Sequence, residues 1–164
     1  MKIRTAIGVN EAAGKLLSGI KSNARLAYRL GRIRDKLEKP LKSYQEARSS
    51  AIKAYGVQQV EFICKEEIEG LMPTSLPSND SSVYVYSCSI EHYHNLSKNF
   101  ELTEKNRDMY KFDNESQNKL MEELESLLDE VVEMPIRIEL SLLEGVECDG
   151  FGQAIAQLDE VIVE

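Results

Sequence analysis

From Glu11 to Leu37 the apolar side chains Ala13, Leu16, Leu17, Ile20, Ala24, Ala27, Leu30, Ile33 and Leu37 recur every three or four residues, the repeat of one buried helix face. The pattern predicts a long helix with Asn10 as its N-cap. A short strand is expected before it over residues 2–7, where KIRTAI alternates. Pro40 has no amide donor and crowds the preceding turn, so it should kink or split the helix. Leu41, Tyr44, Ala47, Ala51, Ile52 and Tyr55 then resume the repeat, and Gly56 closes it as a C-cap.

The pattern is least regular over residues 57–112. Val57 to Glu69 mixes apolar and acidic positions, and residues 71–82, with Pro73, Pro77 and Asn79, read as a loop. Val83, Val85 and Ser87 alternate with Tyr84, Tyr86 and Cys88, a strand with aromatic residues on one face. Ile90 to Tyr110 fits neither period. Further on, Asp113 or Asn114 can cap a second helix whose apolar stripe is Leu120, Met121, Leu124, Leu127, Leu128 and Val131, with Pro135 ending it. Ile136, Ile138 and Leu140 suit an edge strand, and Asp149-Gly150 turns into a last helix from Phe151 to Ile162. The expected fold class is α+β and predominantly helical: a long antiparallel helical hairpin with a few short strands and a short C-terminal helix. The 164 residues suit one domain, with residues 57–108 as an insertion between the two main helices.

Charge changes this picture. The chain carries a net charge of -8, which taken alone argues against a nucleic-acid binder. That average conceals a division: residues 1–56 hold 13 basic and 4 acidic side chains, a net of +9, whereas residues 57–164 hold 7 basic and 24 acidic, a net of −17. At about 100° per residue, Lys21, Arg25, Arg29, Arg32, Lys36 and Lys39 fall on one face of the first helix, opposite its apolar stripe. The same construction gathers Glu122, Glu123, Asp129, Glu130 and Glu133 on one face of the second. The basic face is therefore a candidate contact for nucleic acid or an acidic protein surface, and the acidic face a candidate mimic of nucleic acid toward a basic partner.

Candidate chemistry is sparse. Cys88, His92 and His94, with Cys64, are the nearest approach to a zinc set, but Cys88 and His92 share a face only on a helix, and His92 and His94 only on a strand. The plain alternative is a surface histidine pair flanking Tyr93. None of Cys64, Cys88 and Cys148 is placed beside a histidine by the sequence, and their odd number at wide spacings argues against a disulfide framework. Adjacent carboxylates such as Glu66-Glu67 read as solvated helix charges. Gly8, Gly14 and Gly19 do not make a phosphate loop. Neither a cofactor nor a metal is expected. Arg4, Asn10, Glu11 and Lys15 interrupt any export signal, and no apolar run approaches a membrane span, so a cytoplasmic protein without membrane contact is expected.

The string Ser22-x-x-Arg25-Leu26-Ala27-Tyr28-Arg29-Leu30, followed by Tyr44-Gln45-Glu46-Ala47-Arg48 and Tyr55-Gly56, resembles small phage-encoded proteins of unknown function. In those proteins a basic long helix leads to a YE-x-x-R type stretch and a Tyr-Gly stop. An acidic Leu-rich helix and a short strand with a closing apolar helix follow, matched here by residues 114–132, 136–140 and 151–162. The usual connector between the helices is short, so the resemblance leaves residues 57–108 uncovered, and it supplies no catalytic residues. It implies a non-enzymatic phage or prophage accessory protein working in the host cytoplasm through a protein partner, as an assembly factor or a modulator of a host protein. A homodimer through Leu26, Leu30, Ile33 and Leu37 is also expected, because the apolar arc of the first helix exceeds what one short helix covers.

Overall fold

The computed structural model describes residues 1–20, 23–75, 83–144, 146 and 150–163. Lys21, Cys148, Asp149 and the second half of the expected 71–82 loop lie outside the described residues. In order, the elements are α1 (Ile3–Gly19), α2 (Ala24–Tyr55), β1 (Val57–Cys64), β2 (Tyr84–Ser89), α3 (Ile90–Leu96), β3 (Leu102–Lys111), α4 (Asn114–Asp129), β4 (Ile138–Glu139), α5 (Phe151–Gln157) and β5 (Ile162–Val163). The fold is α+β and mainly helical, with a small antiparallel sheet. The chain forms two compact units, one of Met1–Ser49 with Glu122–Glu164 and one of Ser50–Met121.

In the first unit the expected single long helix is two helices. Asn23 makes the break: its side-chain oxygen accepts the Leu26 amide at 3.0 Å, capping α2, and its amide nitrogen donates to the Leu142 carbonyl at 3.0 Å. The interruption is hidden in the sequence because Ile20 and Ala24 are four residues apart and so keep the helical phase. Residues 2–7 are not a strand. The helical repeat already begins at Ile3 and continues through Ala6, Val9, Ala12, Ala13 and Leu16, all buried, with Asn10 inside the helix rather than capping it. Only Lys2 keeps extended pairing, as a bridge to Val131, flanked by the Ile3 amide donating to Glu130 and the Val132 amide to Met1.

The core of this unit joins α1, Leu26, Leu30, Ile33 and Leu37 of α2, the segment Met134 to Leu143, and Ala154, Leu158 and Val161 near the end of the chain. Leu26, Leu30, Ile33 and Leu37 are 0 % exposed, so the expected dimer face is already consumed by the chain's own core. Pro40 does not split α2, which runs through it. Nor does Pro135 end α4. That helix stops at Asp129, where the Glu130 amide closes back on Leu127 in a tighter turn, and Val131 is left outside. The strand expected over 136–140 shrinks to Ile138–Glu139, paired parallel with Ile162–Val163, and Leu140 enters a 3-10 turn. The last helix ends at Gln157 instead of Ile162, because a 3-10 turn over Asp159–Val161 delivers the chain to β5. It starts after Gly150, whose φ of +73° suits glycine.

In the second unit β1 is the centre of an antiparallel sheet of order β2-β1-β3. Val60, Phe62 and Cys64 share its buried face with Tyr86 and Cys88, under Tyr93 of α3. Phe62 stacks on Tyr86 at 5.7 Å and meets Tyr93 at 5.2 Å, while the buried Tyr86 hydroxyl accepts the Ile68 amide at 2.9 Å. The ambiguous 90–110 stretch resolves into α3, capped by Ser89, and β3, an edge strand. β3 defied its period because Glu104, Lys105, Arg107 and Asp108 are all exposed and the pairing with β1 shifts register twice. Charges and bulges of this kind protect an open edge from further pairing.

Gly56 ends α2 as expected, and for a packing reason. A methyl group there would lie 2.8 Å from the Ile52 carbonyl oxygen, 2.8 Å from Tyr110 Cβ and 2.9 Å from Phe112 Cε1. Gly56→Ala is therefore expected to destabilise the second unit by about 1–3 kcal/mol, the usual cost of overpacking, read as a lower denaturation midpoint. Asp113 caps α4: its carboxylate accepts the Ser116 amide at 2.7 Å, and this bond holds its pKa below the ordinary 3.8. A lowered folded pKa gives stability that is present above the unfolded value and lost as pH falls through the folded one. The protection factor of the Ser116 amide, the intrinsic exchange rate at a given pH divided by the observed rate, should accordingly fall in acid below about pH 4, whereas Asp113→Asn, which keeps the acceptor without the charge, should flatten that dependence.

Candidate interaction surfaces

The expected basic face exists only in part. Lys21 lies outside the described residues. Arg25 and Arg29 both reach Glu139 of β4, at 3.0 Å and 3.8 Å, and Arg29 also donates to the Arg137 carbonyl at 3.4 Å. Arg32, Lys36 and Lys39 are exposed, and none of them enters an ion pair among the described residues. Beside them Tyr28 is 62 % exposed, its hydroxyl accepting from the Arg32 guanidinium at 3.0 Å while that guanidinium lies 5.9 Å from the ring centre. Sequence reasoning placed Tyr28 in a helix but did not mark it as a contact. An exposed aromatic four residues before an arginine was the available signal.

The acidic face is also divided. Asp129 pairs with Lys2 at 3.2 Å and Arg4 at 3.4 Å, and Arg4 holds Glu125 at 2.6 Å. Glu122, Glu123, Glu130 and Glu133 stay exposed, without ion pairs among the described residues. Exposed pairs of this kind contribute about 0–1 kcal/mol each. They select which charges remain available more than they hold the fold.

Between these faces the first unit carries a hollow of about 520 Å³. Pro40, Tyr44, Ala47, Leu127, Val131 and Val132 give it an apolar lining, and Lys36, Glu130 and Glu133 add charge. Val131, expected in the buried stripe of the second helix, is 76 % exposed. Because Pro40 sits inside α2 without an amide hydrogen, the Lys36 carbonyl has no partner at the usual fourth residue.

Cys64 and Cys88 are buried free thiols on one face of the sheet, and His92 and His94 are exposed on α3 on either side of buried Tyr93. Among the described residues no three His, Cys, Asp or Glu side chains come close enough to hold a metal ion. Also among them, no helix is long and apolar enough to cross a membrane. Burial pushes the Cys88 thiol above its ordinary pKa, which keeps the thiolate scarce. Iodoacetamide near neutral pH should therefore alkylate Cys64 and Cys88 slowly in the folded chain and readily in denaturant, as read by mass spectrometry of the modified peptides.

No protein-family model, no curated protein and no solved structure matches the chain.

Proposed function

We propose that the chain is a non-enzymatic phage or prophage accessory protein that acts in the host cytoplasm by contact with a protein partner, either as an assembly factor or as a modulator of a host protein. The hollow beside Pro40 carries this reading. Val131 stands 76 % exposed at its wall, and covering an apolar surface of this kind is favourable by about 25 cal/mol per Å² removed from water. In this reading the two charged helices form a long antiparallel hairpin. The lining of one hollow by Pro40, Tyr44 and Ala47 of α2 and by Leu127 of α4 supports that arrangement.

Affinity capture with the full chain is expected to retain a defined partner. Val131→Asp should weaken that association by about tenfold or more, because a charge in an apolar anchor position removes a central contact. Glu91→Gln, on the exposed surface of α3, should leave it unchanged. A wild-type chain that elutes alone, or a Val131→Asp variant that keeps the same partner at the same affinity, overturns the reading.

A further inference from the structure

The basic face of α2 is narrower and more specific than the sequence suggests. Intramolecular pairing with Glu139 withdraws Arg25 and Arg29, leaving Arg32, Lys36 and Lys39 as an exposed row of cations three and four residues apart. Their positions span about 10 Å along the helix at 1.5 Å per residue. Tyr28 extends the row by one turn with an exposed aromatic ring held beside the Arg32 guanidinium. Asp35 flanks the row on the same helix without entering an ion pair among the described residues, and Glu130 and Glu133 share the hollow beside Lys36.

We infer that this face binds single-stranded nucleic acid, with Arg32, Lys36 and Lys39 contacting successive phosphates and Tyr28 stacking on a base. One observation favours this occupant over an acidic protein. An acidic surface would use the cations but has no use for an aromatic ring that is 62 % exposed, whereas a base has a flat face to place on it. Arg32 spends one donor on the Tyr28 hydroxyl and keeps others for an anion, phosphate and carboxylate alike. A single strand is favoured over a duplex because stacking on Tyr28 needs an unpaired base. The remainder of the chain, net −17 over residues 57–164, opposes approach of any polyanion, so binding is local and weakens sharply with salt. Lys36 also lines the hollow beside Val131, whereas Tyr28, Arg32 and Lys39 do not, and the test reads nucleic-acid binding alone, so it does not depend on the protein-contact reading.

Fluorescence anisotropy of the full chain with labelled oligothymidylate and oligouridylate tests it, with a duplex and polyglutamate as competitors. Three phosphate contacts predict an affinity that falls roughly 20-fold between about 50 and 200 mM salt. Tyr28→Ala should lose about fivefold or more, and Tyr28→Phe, which keeps the ring, should bind nearly as wild type. Replacing Arg32, Lys36 and Lys39 together with Gln should abolish binding. Glu139→Gln should strengthen it and steepen the salt dependence, because Arg25 and Arg29 are released to phosphate. A preference for oligouridylate over oligothymidylate, or the reverse, identifies which nucleic acid is read. No binding at low salt, an unchanged affinity in Tyr28→Ala, or displacement by duplex or polyglutamate as effective as by the single strand overturns the inference.

Discussion

Burial of Leu26, Leu30, Ile33 and Leu37 is the constraint on which the first unit depends. Each of these side chains contributes about 1.5–3 kcal/mol on leaving water, and all four are fully enclosed by α1 and by the segments that close the chain. A helix has one rotational phase. Once that stripe faces the core, Arg32, Lys36 and Lys39 have no choice but the outer side, and the exposed basic row is a consequence of packing rather than a separate arrangement. The same phase brings Arg25 and Arg29 to the edge of β4, where Glu139 meets them.

Asn23 is the residue that makes this enclosure possible. By capping α2 it begins a second helix, so that α1 and α2 present their apolar stripes to a common interior. Its second hydrogen bond, to the Leu142 carbonyl, ties the start of α2 to the segment that shares this core. The apolar arc that suggested a second copy of the chain is thereby satisfied internally.

What the sequence made legible follows from how each element earns its stability. The α2 stripe, the Tyr84/Tyr86 strand, the start of α4 at Asp113 and the Gly56 stop were readable because each has a local mark: periodic burial, alternating aromatics, a capping carboxylate, a glycine closing back on Ile52. The α1–α2 break was not, since Ile20 and Ala24, four residues apart, keep the helical repeat in phase. β3 was not, since its edge position leaves it charged on both faces. β4 and β5 were unreadable as a pair because parallel partners so far apart in sequence leave no local mark. Of the candidate contacts, the cations were visible on a helical projection, but Glu139, Lys2 and Arg4, which decide how much charge is left over, act across more than a hundred residues.

These long-range pairs change the meaning of the net charge. The basic beginning of the chain sends Lys2 and Arg4 to the end of the acidic helix, and the acidic half sends Glu139 to the start of the basic one. Each stripe is cancelled where the opposite charge reaches it and persists where none does. Since exposed pairs add at most about 1 kcal/mol apiece, such exchanges are loosely held and can be displaced by a ligand of the same sign as the resident group. A phosphate arriving near Arg25 or Arg29 competes with Glu139 for the same donors, and a cationic side chain near Asp129 competes with Lys2 and Arg4. The internal pairs thereby set the threshold that any charged partner has to overcome, and they raise it most where the two oppositely charged stretches meet.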